Sequence, residues 1–303
     1  YRIDGVRNTS HSSLYNFLKS AYKTGHYSVF DELINDAAFN LNFDHYPGLD
    51  VLIQKNNFAF HAKDDSVIFN PISLSFNTDS DEYFPAISTK SNIMIYTSRN
   101  LDANFQDEDF YISRKTNGIW SSPNRLGDNI NSDFREGSLS MSIDGKDLFF
   151  ASCDRPDSYG GCDLYYSTLI NDTLWSSAYN MGQKINTKYW ESQPSISSDG
   201  KLLFFTSNRY GGYGGSDIWV SRKHNEIWLD PVNLGPNINT PYDESSPFLH
   251  YDNQTFYFSS KGHPGFGGFD LYTTKINEQF EFDSLVNLGF PINTHYDESG
   301  LIV

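Results

Sequence analysis

The sequence predicts an all-β fold: a five-bladed β-propeller of four-stranded blades, preceded by a short α-helical hairpin, with six blades as the alternative. Three observations support this prediction. A motif recurs about every 54 residues, each repeat reads as four short strands, and the chain is rich in aromatic residues. Its 303 residues include 20 Tyr, 24 Phe and 5 Trp, residue types that favour pleated strands.

The repeat is clearest in a column of glutamates, each of which precedes the inner strand of a predicted blade. Successive members are separated by 54, 55, 53 and 54 residues. The column consists of Glu82, Glu136, Glu191, Glu244 and Glu298. Because a catalytic group must differ from its symmetry mates, we expect these glutamates to be structural and to bond loop N–H groups. A ring that holds a cation or a substrate amine is the alternative.

A column of aspartates precedes an apolar–aromatic pair at the start of each predicted third strand. Each aspartate can accept hydrogen bonds from the backbone of the loop before it. A calcium loop would need several carboxylates at alternating positions, so we predict structural aspartates and no metal site. The column consists of Asp109, Asp163, Asp217 and Asp270.

The third repeat shows the strand pattern of one blade. Asp199-Gly200 is a dipeptide that permits positive φ in a hairpin turn. Short apolar and aromatic runs on either side of this turn alternate with glycine-rich loops, which is typical of a propeller blade. The strands are predicted at Gln193–Ser197, Lys201–Ser207, Asp217–Arg222 and from Glu226 to Leu229.

Residues 1–40 have a different composition and predict the helical hairpin. Leu14, Leu18 and Tyr22 follow helical spacing, and Gly25 is a plausible stop before a second helix. The hairpin either packs on the propeller or ends a longer helical-repeat domain.

Residues 41–303 are predicted to form the propeller. Strands are expected at Leu49–Ile53, Phe58–His61 and Val67–Phe69, with no inner strand of their own. The C-terminal strand, residues 298–303, is an inner strand without a blade. We therefore expect the two ends of the chain to join in a fifth blade, which removes exposed sheet edges.

Two runs of the third repeat carry a family resemblance. Residues 195–209 read SISSDGKLLFFTSNR and residues 214–219 read GGSDIW. Both resemble the TolB-type, WD-like propeller repeat of the bacterial cell envelope. The long period and the element Asn-Leu-Gly-x-x-Ile-Asn are most similar to envelope proteins that join helical repeats, this propeller and an OmpA-type domain. Periplasmic anchor proteins of type IX secretion belong to this group.

The resemblance implies a non-enzymatic protein-binding scaffold of the periplasm or outer envelope, part of a secretion or envelope-anchoring complex. Its partners would be proteins of the envelope. Peptidoglycan would be bound only through an OmpA-type domain, which these residues do not contain. The alternative is a carbohydrate-binding or glycoside-hydrolysing propeller with paired carboxylates at the channel mouth, for which Glu82, Glu191 and Glu244 are the candidates.

Charge and motifs exclude several other functions. The formal net charge of −16 disfavours nucleic acid and anionic lipid, which need Lys or Arg to neutralise phosphate. No apolar run approaches the roughly 18 residues of a membrane helix, so no direct membrane insertion is predicted. The sequence has no Gly-x-Ser-x-Gly, His-Glu-x-x-His or phosphate-binding glycine motif. We therefore predict no catalytic residue and no cofactor.

Aromatic side chains recur in the glycine-rich loops between the second and third strands of the repeats. Aromatic residues exposed on loops are typical of recognition surfaces, so these are our candidate binding residues. The alternative is that they fold down as wedges between blades. The candidates are Phe105, Tyr159, Tyr210, Tyr213, His263 and Phe266.

The two cysteines, Cys153 and Cys162, flank one of these loops at the end of a second strand and the start of a third. The ends of a hairpin can meet disulfide geometry, so we predict a bridge between them. An oxidising compartment would permit it.

Overall fold

In a computed structural model of the chain, the described residues are 11–37, 46–88, 90, 92–100 and 107–303. They divide into two compact units. The helical unit contains the described residues up to Asn70 together with Ser259–Tyr272 and Val286–Ser299. The blade unit contains Pro71–Phe258, Thr273–Leu285 and Gly300–Val303. The predicted boundary between residues 40 and 41 lies outside the described residues.

The helical unit contains three helices: α1 (His11–Lys23), α2 (Tyr27–Ala37) and α3 (Leu49–Ala62). The first two form a hairpin at the predicted place. Gly25 lies between them with φ of 71°, a conformation that glycine adopts without steric cost. Leu18 and Phe30 are fully buried in the core that the helices share.

Helix α3 shows that the strands predicted at Leu49–Ile53 and Phe58–His61 are wrong. Their β-branched and aromatic residues favour strands when the segment is considered alone. However, the buried side chains are those of Leu49, Asn56 and Ala59, which share one face of a helix. Packing of this face against α2, which the local pattern does not report, favours the helix.

The helices pack onto a loop centred on Phe266, which belongs to the same unit. The Phe266 side chain is fully buried, with ring centroids 5.6 Å from Phe58 and 6.3 Å from Tyr27. The Tyr22 hydroxyl donates a hydrogen bond to the Gly265 carbonyl at 2.9 Å, and the Tyr27 hydroxyl donates one to the Phe266 carbonyl at 2.6 Å. Apolar packing and hydroxyl–carbonyl bonds therefore hold the helices on this loop.

The strands form four antiparallel sheets, each with an inner strand, two further strands and one or two short edge strands. The first contains β1 (Asp81–Ile87), β2 (Ile93–Asn100), β3 (Asp107–Thr116), β4 (Ile119–Trp120) and β5 (Asn124–Arg125). The second contains β6 (Arg135–Met141), β7 (Asp147–Cys153), β8 (Cys162–Thr168) and β9 (Tyr179–Asn180). The third contains β10 (Glu191–Ile196), β11 (Leu202–Ser207), β12 (Asp217–His224), β13 (Ile227–Trp228) and β14 (Val232–Asn233). The fourth contains β15 (Glu244–Leu249), β16 (Thr255–Ser260), β17 (Asp270–Lys275) and β18 (Val286–Asn287).

These sheets are the blades of a β-propeller, numbered 1 to 4 below. Their inner strands β1, β6, β10 and β15 contact one another in chain order. Buried aromatic rings fill the space between neighbouring blades; Phe110 of blade 1 lies edge-on to Phe150 of blade 2 at 5.5 Å. The predictions of five and of six blades are therefore wrong: the described residues form four sheets.

The predicted fifth blade is absent from the described residues because its proposed strands do not form. Residues 298–303 and 67–69 adopt no regular secondary structure. Gly300 has φ of 73° and lies so close to Phe84 that an added Cβ would be 2.9 Å from its ring. The final segment thus packs against β1 without pairing with it. One face of the first sheet is covered instead by Phe76, which stacks on Tyr96 at 5.6 Å.

Each inner strand contains a residue with positive φ, two positions after the repeat glutamate. Phe84, Ser138, Gln193 and Ser246 have φ between 48° and 53°. In blades 1 to 3 the register with the second strand shifts at this position, as in a β-bulge. Gly300 holds the same position after Glu298. A strained backbone conformation is therefore a regular part of the repeat.

Replacing Phe266 with alanine is expected to empty the core of the helical unit and to cost about 3–5 kcal/mol of its stability. Amides of α1 to α3 should lose protection from hydrogen exchange, while amides of β10 to β12 keep theirs. Tyr213→Ala is the matched control, since Tyr213 holds the same position in blade 3 and is 51% exposed. Helices equally protected in both variants would contradict this account.

Candidate functional site

The repeat glutamates bind the turn that precedes them. Each carboxylate accepts hydrogen bonds from both the backbone N–H and the hydroxyl of a Ser or Thr four residues earlier. The pairs are Thr78 with Glu82, Ser132 with Glu136, Thr187 with Glu191, Thr240 with Glu244 and Thr294 with Glu298. The column thus fixes the approach of the chain to every inner strand.

In blades 2 and 3 the glutamate has two further partners. The Ser152 and Ser207 hydroxyls donate to Glu136 and Glu191 at 2.9 and 2.8 Å. Arg155 pairs with Glu136 at 2.8 Å, and Arg209 pairs with Glu191 at 3.2 Å. Burial lowers the pKa of Arg209, and the Glu191 carboxylate opposes that decrease. Glu136, Glu191 and Glu244 are fully buried, so their carboxylates are not exposed at the surface.

In blades 2 to 4, aspartates of the column hold the loop between the second and third strands, which we call the aromatic loop. Asp163 accepts hydrogen bonds from the Tyr159 and Gly160 N–H groups at 2.8 and 3.1 Å. Asp217 does the same for Tyr213 and Gly214 at 2.5 and 3.2 Å. The backbone N–H of each aromatic residue is therefore fixed by a hydrogen bond to the aspartate.

Asp109 has other surroundings, whereas Asp270 makes the same two backbone contacts as Asp163 and Asp217. Asp109 forms an ion pair with Arg125, with 2.6 Å between carboxylate and Nε. Asp270, in the helical unit, accepts bonds from Phe266 and Gly267. Burial raises the pKa of Asp270 to about 6, the backbone bonds oppose this increase, and the nearby Glu298 carboxylate adds to it.

The aromatic loops also contact the segment that leads into the next inner strand. The Gly161 N–H donates to the Tyr189 carbonyl at 3.1 Å, and the Gly215 N–H donates to the Tyr242 carbonyl at 3.0 Å. The glycine before each of these donors lies against the same carbonyls. A Cβ on Gly160 would lie 2.6 Å from the Thr187 carbonyl oxygen and closer still to that of Tyr189. Only glycine permits this approach.

The structure joins Cys153 to Cys162 by a disulfide. The two residues lie directly opposite each other in the pairing of β7 with β8, with 3.9 Å between their Cα atoms. The bridge closes the base of the aromatic loop of blade 2.

The candidate aromatic residues are found in three situations. Tyr159 is 44% exposed, Tyr213 51% and Tyr210 90%. His263 is partly buried, with its ring 5.5 Å from that of Tyr272. Phe105 lies outside the described residues.

The prediction for Phe266 is wrong. Phe266 is among the predicted binding residues, with a wedge between blades as the alternative, but it is fully buried in the helical unit and so is not an exposed binding residue. The chain's own helices cover it, because Phe266 packs into the apolar core that α1 to α3 share. The exposed candidates in the described part of the chain are therefore the three tyrosines.

A cavity of about 440 Å³ lies between the inner strands of the blade unit, with residues 300–303 along its wall. Most of its polar groups join neighbouring blades. The Gln193 N–H donates to Ser138 Oγ at 3.1 Å, and the Ser246 N–H donates to Gln193 Oε1 at 2.9 Å. Ser246 Oγ is buried without a hydrogen-bond partner. No aspartate or glutamate is among the described residues that line the cavity.

The described residues contain neither a metal-binding cluster nor a membrane-spanning helix. No group of three or more His, Cys, Asp or Glu side chains there is arranged to hold a metal ion. None of the helices in the same ranges is long and apolar enough to cross a membrane.

Sequence reasoning missed the Ser or Thr partner of each glutamate and the buried arginines. A signal for both exists, since a Ser or Thr stands four residues before every repeat glutamate and Ser207-Asn208-Arg209 ends the best-defined repeat. The positive φ at Phe84 or Gln193 has no such signal, because these residue types rarely adopt it.

No family model and no curated protein sequence matches this chain. Solved structures similar to it include TolB from Acinetobacter baumannii, with 17% identity and a TM-score of 0.47. That likeness covers 73% of this chain and 45% of TolB, so the chain spans less than half of that protein.

Two enzymes are similar to a comparable degree. The α-L-arabinofuranosidase from Lactobacillus brevis is 16% identical, with a TM-score of 0.46 and coverage of 74% of this chain and 75% of the enzyme. The α-L-arabinanase from Penicillium chrysogenum is 15% identical, with a TM-score of 0.44 and coverage of 74% and 70%. Likeness at this level supports no conclusion about activity.

Replacing Gly160 with alanine is expected to destabilise the blade unit by about 1–3 kcal/mol or more, since the new methyl group overlaps carbonyl oxygens that cannot withdraw. Gly161→Ala is the matched control: its Cβ would meet nothing within 4 Å. We expect that variant to stay within about 0.5 kcal/mol of the parent in urea unfolding. Equal costs at the two positions would refute the close contact.

The pH dependence of stability tests the surroundings of Asp270. Its pKa is about 6 in the folded chain against 3.8 for the free side chain, so the folded state holds the proton more tightly. The resulting stabilisation of the folded state is fully present below pH 4 and is lost as the pH rises through 6. It amounts to about 3 kcal/mol in the free energy of unfolding. Urea unfolding of the parent and of Asp270→Asn should therefore diverge across that window. A constant difference from pH 4 to pH 7 would show that Asp270 does not titrate there.

Proposed function

We propose that this chain is a non-enzymatic protein-binding scaffold of the bacterial cell envelope, with Tyr159, Tyr210 and Tyr213 as its binding residues. One observation carries the proposal: large amphipathic side chains stand exposed on loops that are braced from below. Tyrosine provides contact area and a hydrogen-bonding hydroxyl at low entropic cost, which suits it to interfaces.

The bracing matters because binding is weakened when a surface must first be ordered. The Asp217 carboxylate holds the Tyr213 N–H, and the glycine contacts hold the other side of the loop. In blade 2 the disulfide adds a covalent restraint. These features support a preformed recognition surface.

The envelope location rests on the TolB-type repeat. A disulfide is consistent with an oxidising compartment such as the periplasm, where such bonds persist. Within the envelope we propose a role at the outer membrane, in a secretion complex such as type IX or in an OmpA-type anchoring assembly. Peptidoglycan would be reached only through a partner or a further domain.

The carbohydrate-processing alternative has less support from the site. Glycoside hydrolysis commonly needs two carboxyl groups on either side of the scissile bond, about 5–10 Å apart. The cavity wall contains no carboxylate among the described residues, and the repeat glutamates bind their own turns. The cavity is lined mainly by apolar groups and short hydroxyl side chains.

The test is an affinity pull-down from solubilised bacterial envelope with the full chain as bait. In the variant Tyr159→Ser, Tyr210→Ser, Tyr213→Ser, we expect at least a tenfold loss of the retained proteins with an unchanged melting temperature. The control replaces three comparably exposed residues of edge strands with serine: Ile119, Tyr179 and Ile227.

Retention that is equal for the two variants would place the binding surface elsewhere. Turnover of an arabinoside or another glycoside by the purified chain would overturn the non-enzymatic proposal.

A further inference from the structure

The aromatic loops of blades 3 and 4 are built alike. They run over residues 208–216 and 261–269, nine residues each, with Gly-Tyr-Gly-Gly in one and Gly-Phe-Gly-Gly in the other. Tyr213 and Phe266 each donate their backbone N–H to the aspartate four residues later. An added Cβ on Gly212 or Gly265 would overlap that same aspartate. The two backbones therefore present the same groups to a partner.

The blade 4 loop is bound by helices of the same chain, through hydrogen bonds and apolar contacts. The α1–α2 hairpin brings Tyr22 and Tyr27, which flank the turn at Gly25. Their hydroxyls donate to the carbonyls of Gly265 and Phe266, as described above. Apolar side chains of the helices then close over the Phe266 ring. A helical hairpin with a tyrosine on each side of its turn is thus a fitting ligand for this loop type.

The corresponding groups of blade 3 are unoccupied. Within the described residues, no hydrogen bond is made to the carbonyls of Gly212 and Tyr213, which match those of Gly265 and Phe266. The Tyr213 ring, which matches the covered Phe266 ring, is half exposed, and Tyr210 is almost fully exposed. Two large aromatic side chains beside two free carbonyls remain available on one short loop.

The blade 2 loop is a poorer match. Ser158 stands where the other two loops have glycine, and its hydroxyl lies 3.1 Å from that of Tyr165. The Tyr165 hydroxyl in turn donates to Asp157 at 2.9 Å. This side-chain network, together with the disulfide, changes the surface next to Tyr159.

From these observations we propose that the blade 3 loop binds an α-helical hairpin of a second polypeptide, in the way that the blade 4 loop binds α1 and α2. The partner hairpin carries a hydroxyl side chain on each side of its turn and an apolar stripe. The hydroxyls donate to the Gly212 and Tyr213 carbonyls, and the stripe covers the rings of Tyr210 and Tyr213. This inference rests on the proposed protein-binding function and names the class of partner.

The experiment uses the intact chain and a labelled synthetic peptide of residues 11–37 as the probe. Fluorescence polarisation should show saturable binding, and far-UV circular dichroism should show a gain of helix on mixing. We expect Tyr213→Ala in the intact chain to weaken binding at least tenfold, and Tyr22→Phe or Tyr27→Phe in the peptide to weaken it about two- to tenfold, as for loss of one hydrogen bond. The matched control, Tyr179→Ala in the intact chain, should bind as the parent does.

Binding that is insensitive to Tyr213→Ala would overturn the inference, since the peptide would then be exchanging with the chain's own helices or binding elsewhere. Absence of binding up to millimolar peptide would overturn it as well. Either result, combined with a pull-down that still depends on the three tyrosines, would leave the scaffold proposal standing and reject only the helical partner. Loss of both would reject both.

Discussion

The close contact between the aromatic loop and the segment that leads into the next inner strand is the constraint on which blades 2 and 3 depend. A single blade is a small sheet with open edges and would be only marginally stable alone. The contact brings backbone to backbone, so that an N–H reaches a carbonyl at about 3 Å where a side chain would keep them apart. The aspartate holds the loop in the required shape, and the glutamate holds the receiving turn. An aspartate, a glutamate and a glycine without a Cβ thus recur together in the same arrangement.

The sequence was sufficient for the features that are local and periodic. The four complete repeats, the hairpin turn at Asp199-Gly200 and the helices around Leu18 and Phe30 all follow from spacing and residue type. Features decided by packing were not accessible in this way. Helix α3 has strand-like composition. It forms a helix because its apolar face packs against α2. The prediction of a fifth blade was wrong for a similar reason. The inner-strand motif recurs at Glu298, but the described residues near it contain no strands that could pair with it.

The candidate site was partly accessible from sequence. Repetition identified the aromatic loops, and the type of residue at Tyr210 and Tyr213 indicated recognition. The same reasoning treated Phe266 as equivalent to Tyr213, because exposure is not encoded in the repeat. The difference between the two arises from distant residues, among them Tyr22 and Tyr27, which lie more than 200 positions away. Symmetry-related positions of this chain therefore differ where one blade makes a contact that the others lack, as at Arg125, the disulfide and the covered Phe266.

The equal length of the blade 3 and blade 4 loops has a consequence for how such a chain can change. Each loop joins the second strand of its own blade to the third and carries its own bracing, so both sequences fit the same span between two strands. A recombination within the repeat would therefore carry a loop and its aromatic residue from one blade to the next. Repeat architecture of this form allows the exposed loop of one blade to change while the strands of its sheet stay the same.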